Sequence, residues 1–494
     1  MLFFWRIFLG EIPFPGDLLI SENPYKTESY LGYNPGSFPN KAQGPDVITQ
    51  MYPWRYFSIE ELKKGDFPFW NPYNFSGNPQ LANFQTGVFY PLNIFYFILP
   101  FNVAWTLLIM LQPILAGIFM YLFLSRGLNL LKFASFIGSL VFAFSSFMTV
   151  WIEYGNIGST FLWLPLVLLF TKRFSQKITV FNFFLIVFPL TFALLAGFIQ
   201  VLFYIYVLSF LYFLCLLKFK RSEDWQKKLT IFLIALILPL VLSSFQLLPT
   251  YEIFKSSTRG SYSLSQFSNL LLPPYYFITA FVPDFFGNPA TRNYFISGTY
   301  IERVMYSGVP IIFFAFLAIR FIRSLESRFF MIVGSLSLFV ATNLPGIKYL
   351  YLLPIPVIST TVPTRELSIF IFSVIVLGSM GISYFLSNNK LRTRIPLIFI
   401  SIYLVLWIIV IVLDLKISIR NLILPSFLAI STVTIFYTSR ISKKLSLLAL
   451  TLIVVFDLFY FFNKITPFSP TDFIYPKTPV VSYLKENAGI NRFW

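Results

Sequence analysis

The sequence predicts an all-α polytopic membrane protein, a bundle of about 12–13 transmembrane helices with a long, partly helical first loop on the non-cytoplasmic side. Three observations predict it. Of 494 residues, 57% are hydrophobic and only 12% charged, against about 25% charged in a soluble domain. The apolar residues gather into stretches long enough to cross a bilayer. Lys and Arg gather between those stretches, on alternate connections.

Composition sets the first limits. A mean hydropathy of +0.74 is more apolar surface than a water-soluble fold hides. The 63 Phe and 28 Tyr suit lipid-facing helices and interfacial belts. A net charge of +17 would suggest nucleic acid in a soluble protein. Here the basic residues form short clusters between apolar runs, so topology accounts for them and no nucleic-acid partner is expected. The single cysteine, Cys215, allows no disulfide within the chain. The lack of histidine excludes His-based triads, histidine general bases and His-ligated zinc or haem. Any catalysis must use carboxylates, Lys, Arg, Tyr or amides.

Spanning helices are expected near 102–125, 132–151, 157–171, 178–197, 199–217, 229–248, 305–319, 329–343, 367–387, 395–413, 421–438 and 445–462. The stretch 88–101 is short, is broken by Pro91 and Pro100, and reads as interfacial or re-entrant. Basic clusters begin with Arg126 and Lys132. They recur at Lys172–Lys177, Lys218–Lys228, Arg320–Arg328, Lys390–Arg394 and Arg440–Lys444. A wrong helix count in the middle would break this phase, so the clusters mark the cytoplasmic side. The other side then holds residues 10–101, the turn near Glu153, the loop 249–304, the segment 344–366, the loop 414–420 and the tail.

Residues 1–462 thus read as one transmembrane domain, with 10–101 and 249–304 as its large extracytoplasmic loops and 463–494 as an extracytoplasmic tail. Residues 1–9 would rise only about 14 Å as a helix and lack the pattern of a signal peptide. They read as the outer end of a first spanning helix whose beginning is missing. The tail, with VVSYLKENAG at a helix start, reads as the beginning of a truncated C-terminal region.

The first loop is the most informative segment. Pro53, then Trp54, Phe57 and Leu62 at roughly helical spacing, then Lys63, Lys64 and Gly65, predict a short amphipathic helix with a glycine stop. Turn residues follow at Asn71-Pro72 and Ser76-Gly77-Asn78-Pro79. The loop is dense in groups that suit a sugar or phosphate: Asp46, Gln50, Arg55, Asn71, Asn74, Asn83 and Gln85. Aromatic residues Tyr52, Trp54, Trp70 and Tyr73 lie among them. Amides and carboxylates hydrogen-bond hydroxyls, and aromatic faces pack on apolar sugar or lipid surfaces. A loop that is simply amphipathic and interfacial would show the same residues.

The run Asp46-Val-Ile-Thr-Gln50-Met-Tyr52-Pro53-Trp54, the segment Gly65-Asp-Phe-Pro68-Phe-Trp70-Asn71-Pro72 and the motif Phe89-Tyr90-Pro91-Leu92-Asn93 resemble the bacterial YfhO-like membrane proteins. The likeness continues at Trp163-Leu-Pro165, Gly197 with Gln200, Pro283-Asp284-Phe-Phe286-Gly287, Tyr306-Ser-Gly308 and Pro363-Thr-Arg365. That family resembles the GT-C class of polyprenyl-phosphate-sugar-dependent glycosyltransferases. The resemblance implies a GT-C-like bundle, and a membrane enzyme moving a sugar from a polyprenyl-phosphate donor to a cell-envelope acceptor on the outer face. It also implies an acidic residue in the first outer loop that serves the acceptor. Asp46 matches the motif and is the first candidate; Asp17, nearer the first helix, is the second.

Such a transfer needs a carboxylate to take the hydroxyl proton, a cation for the departing phosphate and a groove for the prenyl tail. Arg365 and Arg259 are candidates for the cation, and each also suits a snorkelling anchor. Gln50, Trp54, Arg55, Trp70, Asn71, Asn83, Gln85, Glu153 and Asp284 are the further candidates for substrate binding. Asp457 lies inside the last apolar run and either faces a cavity or makes a structural hydrogen bond. No aspartate pair has metal-site spacing, so no divalent metal is expected, and the lipid-linked donor, the acceptor and membrane lipids are the expected partners. The alternative is a transporter or flippase for a lipid-linked or amphipathic substrate. That activity would place polar groups near the bilayer midplane.

Overall fold

The computed structural model describes residues 2–41, 44–220, 224–258, 260–353, 355, 357–388, 393–439, 441–489 and 491. Helices form where the apolar runs stand. Among the described residues nine are long and apolar enough to cross a bilayer, from Phe101–Gly127 to Lys443–Ile465. The chain is a helical, multi-pass membrane protein. Three of the twelve expected spans are shorter: Val180–Leu195, Val309–Phe321 and Leu325–Ala341, with 16, 13 and 17 residues. At 1.5 Å per residue they rise about 20–26 Å, less than the ~30 Å hydrocarbon core. The span expected at 305–319 is shortened because residues 304–308 are not helical, and Gly308, at φ 94°, turns the chain into the helix. The span expected at 132–151 is two helices, Lys132–Ala143 and Ser146–Trp151. Between them the Ser145 hydroxyl accepts the Met148 amide and starts the second helix as its cap.

The first loop contains the expected helix at Tyr52–Lys64, ended by Gly65 in the left-handed region at φ 90°. A π-helical turn, Val47–Met51, leads into it. Residues 91–98 form two short turns, Pro91–Ile94 and Phe95–Ile98. Residues Leu2–Leu9 form a 3₁₀ helix, not the α-helical end expected. Aromatic packing holds it: Phe3 stacks on Phe144 at 3.6 Å between centroids, and Phe4 meets Phe462 edge-on at 5.2 Å. The tail carries the expected helix at Pro479–Asn487.

Helix Leu367–Ser387 is buried along most of its length and forms the centre of the bundle. Gly378 and Gly381 allow this. A Cβ on Gly381 would overlap the carbonyl oxygen of Phe314, and one on Gly378 would strike Ile311. Small residues let backbones approach and gain dispersion contacts where lipid offers no hydrophobic drive. Helix Ile395–Val412, by contrast, exposes Leu397, Leu404, Ile408 and Ile411, as a lipid-facing helix should.

The two ends of the bundle differ in kind. At one end the first loop and the tail are stitched together. Glu11–Ile12 pairs antiparallel with Ser469–Pro470, Lys41 donates to the carbonyls of Asn463 and Thr466, and Tyr475 donates to Ile48 O at 2.6 Å. Lys464 pairs with Asp284 at 2.6 Å, joining the loop 249–304 to the same end. At the other end Lys172 pairs with Glu326 at 2.6 Å and Lys443 donates to Leu386 O at 3.1 Å. Segments assigned to one side by charge alone therefore meet in space. With single cysteines at Ser76→Cys and Ser387→Cys in a Cys215→Ser background, an impermeant maleimide should label the first in intact cells. The second should label only after permeabilisation. Equal labelling of both in intact cells would reject the orientation.

Candidate functional site

A chamber of about 660 Å³ lies at the end where the large loops meet. Distant segments build it: residues 44–51 with Gln85, the turn 151–157, Phe198, Asn269-Leu270, the stretch 289–303, and Val362 with Arg365. Asp46 stands at the mouth of the π-helical turn. Val47 and Ile48 are buried on one side of that turn, and Asp46 and Gln50, four residues apart, lie with Met51 on the chamber wall. Such turns recur at functional sites because the extra residue re-aims side chains. Gln50 Nε2 lies 3.4 Å from Asp46 Oδ1. Burial pushes the Asp46 carboxyl above its ordinary value, and the Arg365 charge offsets part of that shift.

Arg365 is held rigidly. Its Nη2 and Nε donate to Glu302 Oε1 and Oε2 at 2.6 and 3.0 Å, and its Nη1 donates to Gln200 Oε1 at 3.1 Å. The guanidinium also lies over the rings of Trp151 and Phe198, 5.4 and 5.1 Å from their centroids. Gln200 is fixed in turn by donating to Val362 O at 2.7 Å. Among the described residues no hydrogen bond or ion pair joins Asp46 to Arg365, although they share the chamber and feel each other's charge.

The remaining sequence candidates divide into wall and scaffold. Gln85 lines the chamber, and its carbonyl accepts from Asn156 Nδ2 at 3.2 Å. Asn83 does not line it; its side chain accepts the Gln85 amide at 3.2 Å and so sets Gln85 in place. Arg55 is buried behind the wall, 5.5 Å over Trp105, with Nη2 3.4 Å from Gly155 O. It supports the turn 152–156 and does not reach the chamber. Trp54 and Asn71 belong to a network centred on Gln80, which donates to Trp54 O at 2.8 Å and accepts from Asn71 Nδ2 at 3.3 Å. Trp70 is exposed and covers Gly77, away from the chamber. These three were expected to bind substrate, and the structure places none of them on the chamber wall.

The other carboxylates are also placed outside the chamber. Asp17 is buried, and its Oδ2 accepts the Asn40 amide at 2.6 Å and the Tyr33 hydroxyl at 3.2 Å. Burial raises its pKa against the pull of those bonds. Glu153 is buried behind Tyr154, within electrostatic reach of Lys41. Desolvation lowers the Lys41 ammonium to about 8. Asp284 accepts from Asn288 at 2.8 Å, Tyr300 at 2.7 Å and Lys464 at 2.6 Å, which fixes the Pro-Asp-Phe-Phe-Gly turn. Arg259 lies outside the described residues.

Asp457 makes a structural bond. Its Oδ1 accepts from Tyr306 at 2.6 Å and its Oδ2 from the Val309 amide at 3.0 Å, capping helix Val309–Phe321 from across the bundle. Asp457→Ala would orphan the buried Tyr306 hydroxyl, at about 1–3 kcal/mol, and leave the Val309 amide only its 3.2 Å bond to that hydroxyl. We expect a clear fall in the unfolding temperature of the detergent-solubilised protein, with the molecules that stay folded unchanged in activity.

Sequence reasoning missed Glu302 and Arg303 as site residues. Arg303 lines the chamber with its guanidinium donating to Ser297 O at 2.7 Å and Asn269 O at 2.8 Å, across Gly298, where a Cβ would strike it. Glu302 and Arg303 lie four and three residues before Tyr306-Ser-Gly308, so the signal was close to a motif already singled out. Among the described residues, no three acidic or cysteine side chains converge to hold a metal ion.

Fold and site together define a polytopic helical membrane protein with a polar chamber at one end of its bundle. Residues 45–476 match the family described as bacterial membrane protein YfhO, and the chain belongs to that family. A comparison with curated proteins gives no match. Among solved structures the fold is similar to the apo crystal structure of ArnT from Cupriavidus metallidurans. The identity is 11%, the match covers 86% of this chain and 72% of that one, and the TM-score is 0.44. A likeness of that size says nothing about chemistry.

Proposed function

We propose that this protein is a membrane glycosyltransferase that moves a sugar from a polyprenyl-phosphate donor to a hydroxyl of a cell-envelope acceptor on the outer face. One observation carries the reading. A half-buried carboxylate, Asp46, and a rigidly held guanidinium, Arg365, come from distant segments to one chamber without pairing with each other. In the proposed reaction the acceptor oxygen attacks the anomeric carbon and its proton passes to Asp46. The bond from that carbon to the phosphate oxygen breaks, and its electron pair leaves with the polyprenyl phosphate, stabilised by Arg365. Gln50 and Gln85 supply amides for sugar hydroxyls. The chamber sits at the helix ends, where a lipid-borne phosphate lies. This favours surface chemistry over passage through the bilayer.

The test is a transfer assay on membranes carrying the full chain, with a panel of labelled polyprenyl-phosphate sugars. Label should move from at least one donor to an envelope acceptor, and membranes carrying Asp46→Asn should not support it. If every donor gives the same labelling with and without the protein, the reading is wrong.

A further inference from the structure

We infer that the protein has a second site, separate from the chamber, that binds the net-anionic phosphate headgroup of a membrane lipid. A groove of about 760 Å³ runs between helices Lys416–Thr438 and Lys443–Ile465, closed at its top by Thr291 and Asn293. Its polar rim carries Arg420, Asn421, Asn463 and Lys464. Beneath the rim lie Phe456, Phe459 and Tyr460, of which Phe456 and Tyr460 are exposed. A charged rim above an aromatic wall on bilayer-spanning helices is the profile of a lipid with an anionic head and apolar tails.

The charges point to an anion. Lys464 is already paired with Asp284, and Asn421 Nδ2 donates to Asp284 O at 2.6 Å. Arg420 is exposed and forms no ion pair among the described residues. Its position breaks two rules. Arg420 and Lys416 occupy the first turns of a 23-residue helix, where the macrodipole disfavours cations. They also lie in the short connection 414–420 on the loop side of the bundle, a kind of connection in which the positive-inside rule disfavours Lys and Arg. A bound phosphate would relieve both. Asp284 connects this groove to the chamber: its Oδ1 accepts from Tyr300 of the chamber wall, and its Oδ2 accepts from Lys464 of the groove.

The inference does not depend on the proposed transfer reaction, because its test reads binding. The full chain would be reconstituted in phosphatidylcholine nanodiscs with a trace of photo-crosslinkable phosphatidylglycerol or, separately, photo-crosslinkable phosphatidylcholine. Crosslinks are mapped to residues 443–465. The anionic probe should label this segment about fivefold more than the zwitterionic one, as expected for one basic side chain at a membrane surface. Arg420→Gln should remove that preference and Arg420→Lys should retain it. Because Arg420 is exposed, all three proteins should share one unfolding temperature. Added polyprenyl phosphate that displaces the probe would identify a prenyl phosphate as the occupant; no displacement would identify a phospholipid. Equal labelling by both probes, or a preference that survives Arg420→Gln, would overturn the site.

Discussion

Asp46→Asn should lower transfer by about 100-fold or more, the usual scale for removing a general base, while leaving the protein folded. The substitution keeps the size of the side chain and keeps an acceptor for Gln50, whose amide is 3.4 Å away. Only the ability to take a proton is lost. The pH profile gives an independent check. Burial raises the Asp46 pKa, so the carboxylate is the stronger base once ionised. Protonation switches it off as pH falls. Transfer by the wild type should therefore decline on the acid side with a midpoint above that of an ordinary aspartate. The residual activity of Asp46→Asn should lack this limb. Near-normal turnover in the variant would end the assignment, and Asp17 would not inherit it, because that carboxylate is committed to the Asn40 amide and the Tyr33 hydroxyl.

How much of this was legible in the sequence follows from what each signal measures. Hydropathy and basic clusters report on the bilayer, which acts on every residue of a span, so helix positions and their phase were readable. Helix length was less so: a short Val309–Phe321 depends on Asp457, which caps it from 148 residues away in the chain. The first loop was readable as polar and aromatic, but not which polar groups face outward. Asn71 carries the same amide as Gln50 and Gln85, and Arg55 suits a polar ligand as well as they do; only the folded loop shows that Asn71 and Arg55 bond within the scaffold. Glu302 was hidden for a related reason. A carboxylate in a loop looks solvated until its partner, Arg365, is brought to it from 63 residues away.

That ion pair yields the sharpest separation of structure from chemistry. Both side chains of the Arg365–Glu302 pair are largely buried, at 16% exposure each. Arg365→Gln would leave the Glu302 carboxylate without its cation, and Glu302→Gln would leave the guanidinium without its anion. Breaking a buried pair costs about 3–5 kcal/mol, so each single variant should be clearly less stable in thermal unfolding. The double variant carries no orphaned charge, and two amides can hydrogen-bond each other. It should recover most of the lost stability, giving a strong coupling in the double-mutant cycle. Transfer should not recover. If Arg365 stabilises the leaving phosphate, its loss costs about 100-fold or more whatever faces it, and the double variant should be as inactive as Arg365→Gln. Glu302→Gln, measured on the fraction that stays folded, should keep more activity than either, because the cation remains. Recovery of transfer alongside stability in the double variant would make Arg365 a structural residue. The leaving-group role would then pass to Arg303, the other guanidinium on the chamber wall.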